Sequence, residues 1–325
     1  MAEPQKIRET VPRVSDSEID AYLHHHREAQ WIVAPDEFLG ELIEEFAEKP
    51  PATPTTPFGK WAGLMDFRPG ELTIWAAYNG HRKSMLTGQL LLYWLALGKK
   101  CCIASLEMKP RKTLKRIAIQ SARNKTPATP YLVRWMTCIG TGLRIYDQQG
   151  TISPDRIVSL ARYYGGALRG DFLVIDSLMK CGVAEDDASG LQRLMDALTS
   201  AARDTGLHII LIHHVRKGAD ESKIPGKMDL KGTGNLSDQA DNVVIQWTDK
   251  AIAEAMLKGE QVSDKPHGYL VVEKQRNGEW EGSIPLWFDP RSLHHLDSRH
   301  AVPFNWEEVR AKNPMAPEPR EAGDD

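Results

Sequence analysis

Five short, largely apolar runs recur through the middle of the chain, at 72–77, 100–106, 172–176, 208–213 and 242–247. Between them lie longer stretches in which apolar residues return every three or four positions. One is 84–98, with Leu86, Leu90, Leu91, Trp94 and Leu95; the others are 110–123, 154–162 and 189–204. Runs of the first kind suit strands buried on both faces, and the second spacing suits helices packed along one stripe. Their alternation predicts an α/β fold with a mostly parallel twisted sheet and crossover helices on its faces. Two later segments, 268–274 and 281–287, read as strands joined by short turns and predict antiparallel edge strands.

The flanks have a different texture. Residues 36–48 place Phe38, Leu39, Leu42, Ile43 and Phe46 at helical spacing, with Asp36 as N-cap after Pro35. The Pro/Thr-rich segment 49–57 reads as an extended linker. The expected organisation is therefore an N-terminal extension with an amphipathic linker helix (1–57), an α/β domain (58–311), and a Pro-rich acidic tail expected to be disordered (312–325). The helix must bury its stripe on its own domain or on a neighbouring subunit, and the pattern leaves both open. His24, His25 and His26 are consecutive, so on a helix they point in different directions and read as a solvated face, not a metal site.

Charge narrows the function. With 41 Lys+Arg against 44 Asp+Glu, a net charge of -3, contact with nucleic acid must come from a local basic patch. The four cysteines show no C-x-x-C spacing, which argues against zinc and for reduced thiols. No 18-residue apolar run and no signal-peptide core are present, so a soluble, cytoplasmic protein without membrane association is expected.

The chemistry gathers at strand ends. Residues 77–84, Ala77-Tyr78-Asn79-Gly80-His81-Arg82-Lys83-Ser84, follow the phosphate-loop pattern G-x-x-x-x-G-K-[ST] with both glycines replaced. The backbone of such a loop wraps the phosphates, the lysine reaches the β- and γ-phosphates, and the hydroxyl ligates Mg²⁺. Arg82, at the second glycine position, is read as lending its charge to the phosphates. Glu107, after the next strand, is placed to position and polarise an attacking water. Asp176 ends four apolar residues, the arrangement that holds Mg²⁺ through its water shell.

His214, with His213 as runner-up, closes an apolar strand where a polar side chain can sense the γ-phosphate. Lys274 and Arg276 follow strand 268–273, share one side of it, and read as an arginine-finger pair. All five features follow strands, so they are expected to converge at the carboxyl ends of the sheet. Between the fourth and fifth, the turn-rich segment 217–231 carries Lys217, Lys223, Lys227 and Lys231, a basic loop suited to a nucleic-acid backbone.

Over roughly 58–289 the order of these motifs resembles the hexameric replicative helicases of the DnaB and Twinkle type, which have a RecA-like P-loop core. The resemblance rests on Phe67-Arg-Pro-Gly-Glu-Leu72, Ser105-Leu-Glu-Met108, Val174-Ile-Asp176 and Ile212-His-His-Val-Arg-Lys217. It continues in Lys231-Gly-Thr-Gly-Asn-Leu-Ser-Asp238 and Glu273-Lys-Gln-Arg-Asn-Gly278. It implies an ATP- and Mg²⁺-dependent DNA helicase acting in replication. It further implies a homo-oligomer, a hexameric ring, with nucleotide between subunits and Lys274 and Arg276 acting in trans.

Translocation on single-stranded DNA, 5′ to 3′, would use channel loops matching Lys217–Lys231 and the turn Gly232–Asn235. The resemblance also favours packing of the helix at 36–48 on a neighbour. No primase or zinc-ribbon module precedes the motor, so a separate primase or loader is an implied partner. Two other readings fit the same residues: a RecA-type recombination ATPase forming filaments, and a weakly hydrolysing nucleotide-binding accessory protein.

Overall fold

Burial along the strands sorts them into two kinds. β1 (Leu72–Ala77), β2 (Cys101–Ser105), β4 (Phe172–Asp176) and β6 (Asn242–Thr248) are buried at every position, and β5 (His208–His214) at every position but its last. β7 (Gly268–Gln275) and β8 (Gly282–Asp289) largely alternate buried and half-buried side chains. The first kind is what a parallel sheet covered on both faces requires, the second what an antiparallel edge requires. The computed structural model describes residues 34–47, 55–216, 221–230 and 235–313. With β3 (Leu143–Ile145) and β9 (His294–Leu296) the strands form one nine-stranded sheet in the order β3-β2-β4-β5-β1-β6-β7-β8-β9. The six from β3 to β6 are parallel; β7, β8 and β9 run antiparallel.

Alternation along each parallel strand feeds two cores. On one face Leu72, Ile74, Leu173, Ile175, Ile209 and Leu211 pack with Ile157 of α5 (Pro154–Arg162) and with Leu194 and Leu198 of α6 (Ala188–Thr205). On the other, Trp75, Phe172, Val174, Ile210 and Ile212 meet Leu86, Leu90 and Trp94 of α2 (Lys83–Ala96) and Ile117 of α3 (Pro110–Ala122). The Trp94 ring stacks on Phe172 at 4.1 Å and 3°, and its indole donates to Thr55 O. Two layers of helix thus clamp the sheet and fix the strand ends that carry the site.

The chain divides into two units, 1–53 and 54–325. In the first, α1 (Leu39–Phe46) follows a single turn over Pro35–Phe38, close to the helix predicted at 36–48; Phe38 of the turn and the four apolar side chains of α1 are exposed. Residues 24–26, most of the predicted linker and residues 314–325 lie outside the described residues.

Other elements escape the sequence pattern. They are α4 (Thr129–Gly140), α7 (Asn235–Gln239), α8 (Lys250–Lys258) and α9 (Trp306–Lys312), with β3 and β9. α8 has no buried residue and so no stripe to read; α4 exposes Val133 and Met136, which blurs its stripe. β3 and β9 are three residues each, too short for a period. Among the described residues no helix is long and apolar enough to cross a membrane.

Buried histidines give the fold a pH dependence. Burial pulls His81, His208 and His294 down to about 4 and His295 to about 3. In the unfolded chain each takes a proton near 6.5, while the folded protein does not. The stability they contribute is therefore complete above 6.5 and is lost as pH falls toward 4. Each contributes up to about 1.4 kcal/mol per pH unit in that window. Thermal melts should show Tm falling steeply from pH 7 to pH 5; a flat profile would contradict neutral, buried imidazoles.

Candidate active site

The phosphate-loop sequence lies between β1 and α2. Ala77 is the last β1 residue, paired with His214 of β5 and Gln246 of β6, an extended position where a methyl costs nothing. The tight turn is made further on, by Gly80 at φ 81° and Arg82 at φ 62°. Arg82 therefore occupies the left-handed conformation in which glycine is the default. Its guanidinium lies 3.9 Å from the centre of the Phe288 ring, and burial lowers its pKa. A cation over an aromatic face offsets part of the backbone cost.

His81 turns inward: its Nδ1 accepts from Thr248 N at 3.0 Å, and its carbonyl accepts from Gln246 Nε2 at 2.7 Å. Tyr78 is buried in the core. Ala77, Tyr78 and His81 thus build the loop, whereas Asn79, Gly80, Arg82, Lys83 and Ser84 line a cavity of about 300 Å³.

Glu107, Asp176 and His214 line the same cavity, from the ends of β2, β4 and β5. Lys83 Nζ donates to Ala77 O (3.4 Å), to Tyr78 O (3.3 Å) and to His214 Nδ1 (3.2 Å). An ammonium can only donate, so Nδ1 accepts and the imidazole proton sits on Nε2. That nitrogen stands 3.9 Å from Glu107 Oε1, and the same oxygen accepts from Ser177 Oγ at 2.7 Å. His214 and Ser177 together hold the Glu107 carboxyl down at about 2, against its partial burial. Burial, then the neighbouring Glu107 charge, push Asp176 up, while Lys83, His214 and the Ser84 hydroxyl pull it down. Burial lowers Lys83, opposed by Asp176 and Glu107.

Ser84 Oγ donates to Asp176 Oδ2 at 3.4 Å. A hydroxyl and a carboxylate close together are the hard oxygen donors that suit Mg²⁺, and a buried ammonium beside them suits phosphate. The donor set therefore fits a nucleoside triphosphate with its metal, in a cavity at the small end of the range for ligand sites.

The fifth motif does not converge with the other four. β7 runs antiparallel, with Val243 opposite Lys274 and Asn242 opposite Gln275, so its carboxyl end is level with the start of β1. At ~3.4 Å per residue, Arg276 lies about 17 Å along the strand direction from Ala77. There Lys274 Nζ donates to the carbonyls of Ser237, Asp238 and Ala240, capping the end of α7. Arg276 pairs with Asp241 at 3.0 Å and donates to Asp238 O at 3.2 Å. The two cations share one side, as alternation predicts, but face away from the chain's own cavity.

Of the basic loop, Lys223 and Lys227 are exposed, and Val215 pairs with Leu230 so that the loop leaves and rejoins the sheet next to His214. Lys217, Lys231 and Gly232 lie outside the described residues, and of Asn235 only its place at the start of α7 is described.

Sequence reasoning missed several contributors. Ser177 is one residue past the Asp176 motif, and its hydroxyl was the available signal. Arg116 and Met108 line the cavity from α3 and the turn before it. Gln246, Thr248 and Phe288 support the loop from distant strands and left no local signature.

Because the Arg82 charge rests on Phe288, Arg82→Gly is expected to change nucleotide affinity by less than about threefold, the lost ring contact and the relieved backbone each being worth about 1 kcal/mol. Titration with a fluorescent nucleotide checks this; a tenfold loss would place the guanidinium on the phosphates.

Known proteins resemble this chain in sequence and fold. A family described as an AAA domain matches residues 52–220, over half of the chain. The DNA helicase/primase of Enterobacteria phage T3 is 22% identical over 225 residues, covering 63% of this chain and 38% of that protein. The chain thus spans about two fifths of the length of that curated relative. Among solved structures, the ATPase domain of G40P superposes with a TM-score of 0.65 at 18% identity, covering 82% of this chain and 99% of that one. A DnaB-like replicative helicase, studied with its interactions with primase, gives 0.62 at 17% identity, covering 86% and 71%.

Proposed function

The chain belongs to the AAA-domain family, matched over residues 52–220, and on that premise we propose that it is the ATP-driven motor of a DnaB-type replicative DNA helicase. The observation that carries this reading is the chain of contacts from Lys83 through His214 to Glu107, in one cavity with Ser84 and Asp176. ATP enters with its phosphates against the loop 79–84. Lys83, which otherwise binds two loop carbonyls and His214, is the ammonium that the phosphates recruit. Its departure frees His214 Nδ1, so the imidazole reports the nucleotide to the basic loop that begins three residues later.

Glu107, ionised at any neutral pH, orients the attacking water. Ser84 and Asp176 would hold Mg²⁺, which when bound would supply positive charge against the phosphates. Arg276, with Lys274 beside it, completes the site of a neighbouring subunit in a hexameric ring. Lys217, Lys223, Lys227, Lys231 and the turn Gly232–Asn235 contact single-stranded DNA, moving 5′ to 3′. The helix at 36–48 packs on the next subunit, and a separate primase or loader is a partner.

ATP turnover with and without single-stranded DNA tests the reading. Hydrolysis stimulated by the DNA is expected. Nucleotide binding without turnover would favour the accessory-protein reading, to which an arginine at the glycine position gives some support.

A further inference from the structure

Residues 108–146 carry nine Lys and Arg and no Asp or Glu. The whole chain has a net charge of -3, so the remainder carries -12, and the positive charge is concentrated in α3, α4 and the turns beside them. Among the described residues none of these nine cations forms an ion pair with a carboxylate. Arg134, on α4, shares a surface cavity with Glu307, which partly offsets it. The uncompensated charge therefore lies on α3. Lys112 and Lys115 are exposed there, Arg123 is exposed at the C-cap just past its end, and Arg116, beside Lys112 and Lys115, reaches the nucleotide cavity.

Lys112, Lys115 and Arg116 share one stripe on the first turns of α3, over a rise of about 6 Å, whereas Ile119 further along that face is buried and Arg123 follows at the left-handed C-cap. The opposite side of α3, with Thr113, Ile117 and Ala118, is buried. The exposed stripe has no large apolar side chain to enter a lipid interface and no aromatic anchor for a protein partner. Such a surface fits a phosphate backbone read by charge alone.

We propose that the exposed stripe of α3, with Arg123 just past its end, is a second DNA contact, binding the phosphate backbone of single-stranded DNA without sequence preference, apart from the loop 217–231. The proposal rests on the DNA-motor reading for its choice of polyanion. It places a DNA contact on the same helix that lines the nucleotide cavity through Arg116, so that strand and nucleotide act on one rigid element.

The test is a variant carrying Lys112→Gln, Lys115→Gln and Arg123→Gln, with Arg116 untouched, in the full chain. Binding of a fluorescent oligothymidine is measured across a salt series. Three lost contacts should flatten the log–log salt slope by about 2 and weaken binding about tenfold or more near 0.1 M salt. DNA-free ATP hydrolysis and the melting temperature should match the unsubstituted protein, and Lys112→Arg with Lys115→Arg should keep the slope. Unchanged slope and affinity would overturn the proposal. So would loss of oligomer in sedimentation with the slope intact, which would make the stripe a protein interface. Protein that binds the oligonucleotide but hydrolyses no ATP would defeat the motor reading, while the slope still judges the stripe. If the unsubstituted protein binds no DNA, both fall.

Discussion

Replacing Glu107 with glutamine is expected to lower kcat for ATP hydrolysis by roughly 10²–10⁴-fold while nucleotide binding persists. The amide keeps the shape and the Ser177 contact but loses the charge proposed to orient water. With its carboxyl held at about 2 by His214 and Ser177, Glu107 is ionised from pH 3 upward, so it contributes no acid limb to a rate profile near neutrality. A depressed carboxyl contributes stability that is present above its unfolded value, near 4.5, and is lost as pH falls toward 2. Removing His214 should therefore raise the Glu107 pKa and bring an acid limb into view. Steady-state rates of Glu107→Gln and pH profiles of His214→Ala check both. Unchanged turnover in Glu107→Gln would move the water-orienting role elsewhere.

Arg276→Ala should abolish turnover to a comparable or greater degree, about 10³–10⁵-fold, if the guanidinium stabilises a neighbour's transition state. The geometry makes the claim sharp. Arg276 sits at the far end of the sheet from its own cavity, held by Asp241, whose other oxygen accepts from Leu72 N at the start of β1. One strand thus runs from the Arg276 anchor to the phosphate loop. Neither Arg276→Ala nor Glu107→Gln protein should turn over alone. Mixed, they should recover activity, because by random assortment about a quarter of shared sites receive both intact groups. No recovery at any ratio would exclude action in trans.

The sheet and four of the five motifs were legible because burial writes directly into sequence. Strands covered on both faces are continuous apolar runs, and the groups that end them fall at one edge of the sheet. The fifth motif shows the limit of that logic. The pattern of β7 reveals a strand and its short turns an antiparallel one, but antiparallel direction reverses which end its terminal residues occupy. Arg82 shows another limit. Its identity as a glycine replacement is visible, whereas the ring that receives its charge, Phe288, is two hundred residues away. α8 packs no residue into the core, so no stripe announces it. Lys217, Lys231 and Gly232, read as DNA contacts, lie outside the described residues, and their role rests on the motif alone.

The most direct measurement is unwinding of a forked DNA duplex by the purified chain. Strand separation is expected that requires ATP and Mg²⁺, needs a free 5′ single-stranded tail, and disappears in Lys83→Ala. ATP hydrolysis stimulated by single-stranded DNA without strand separation on any fork, with or without a loader, would contradict it.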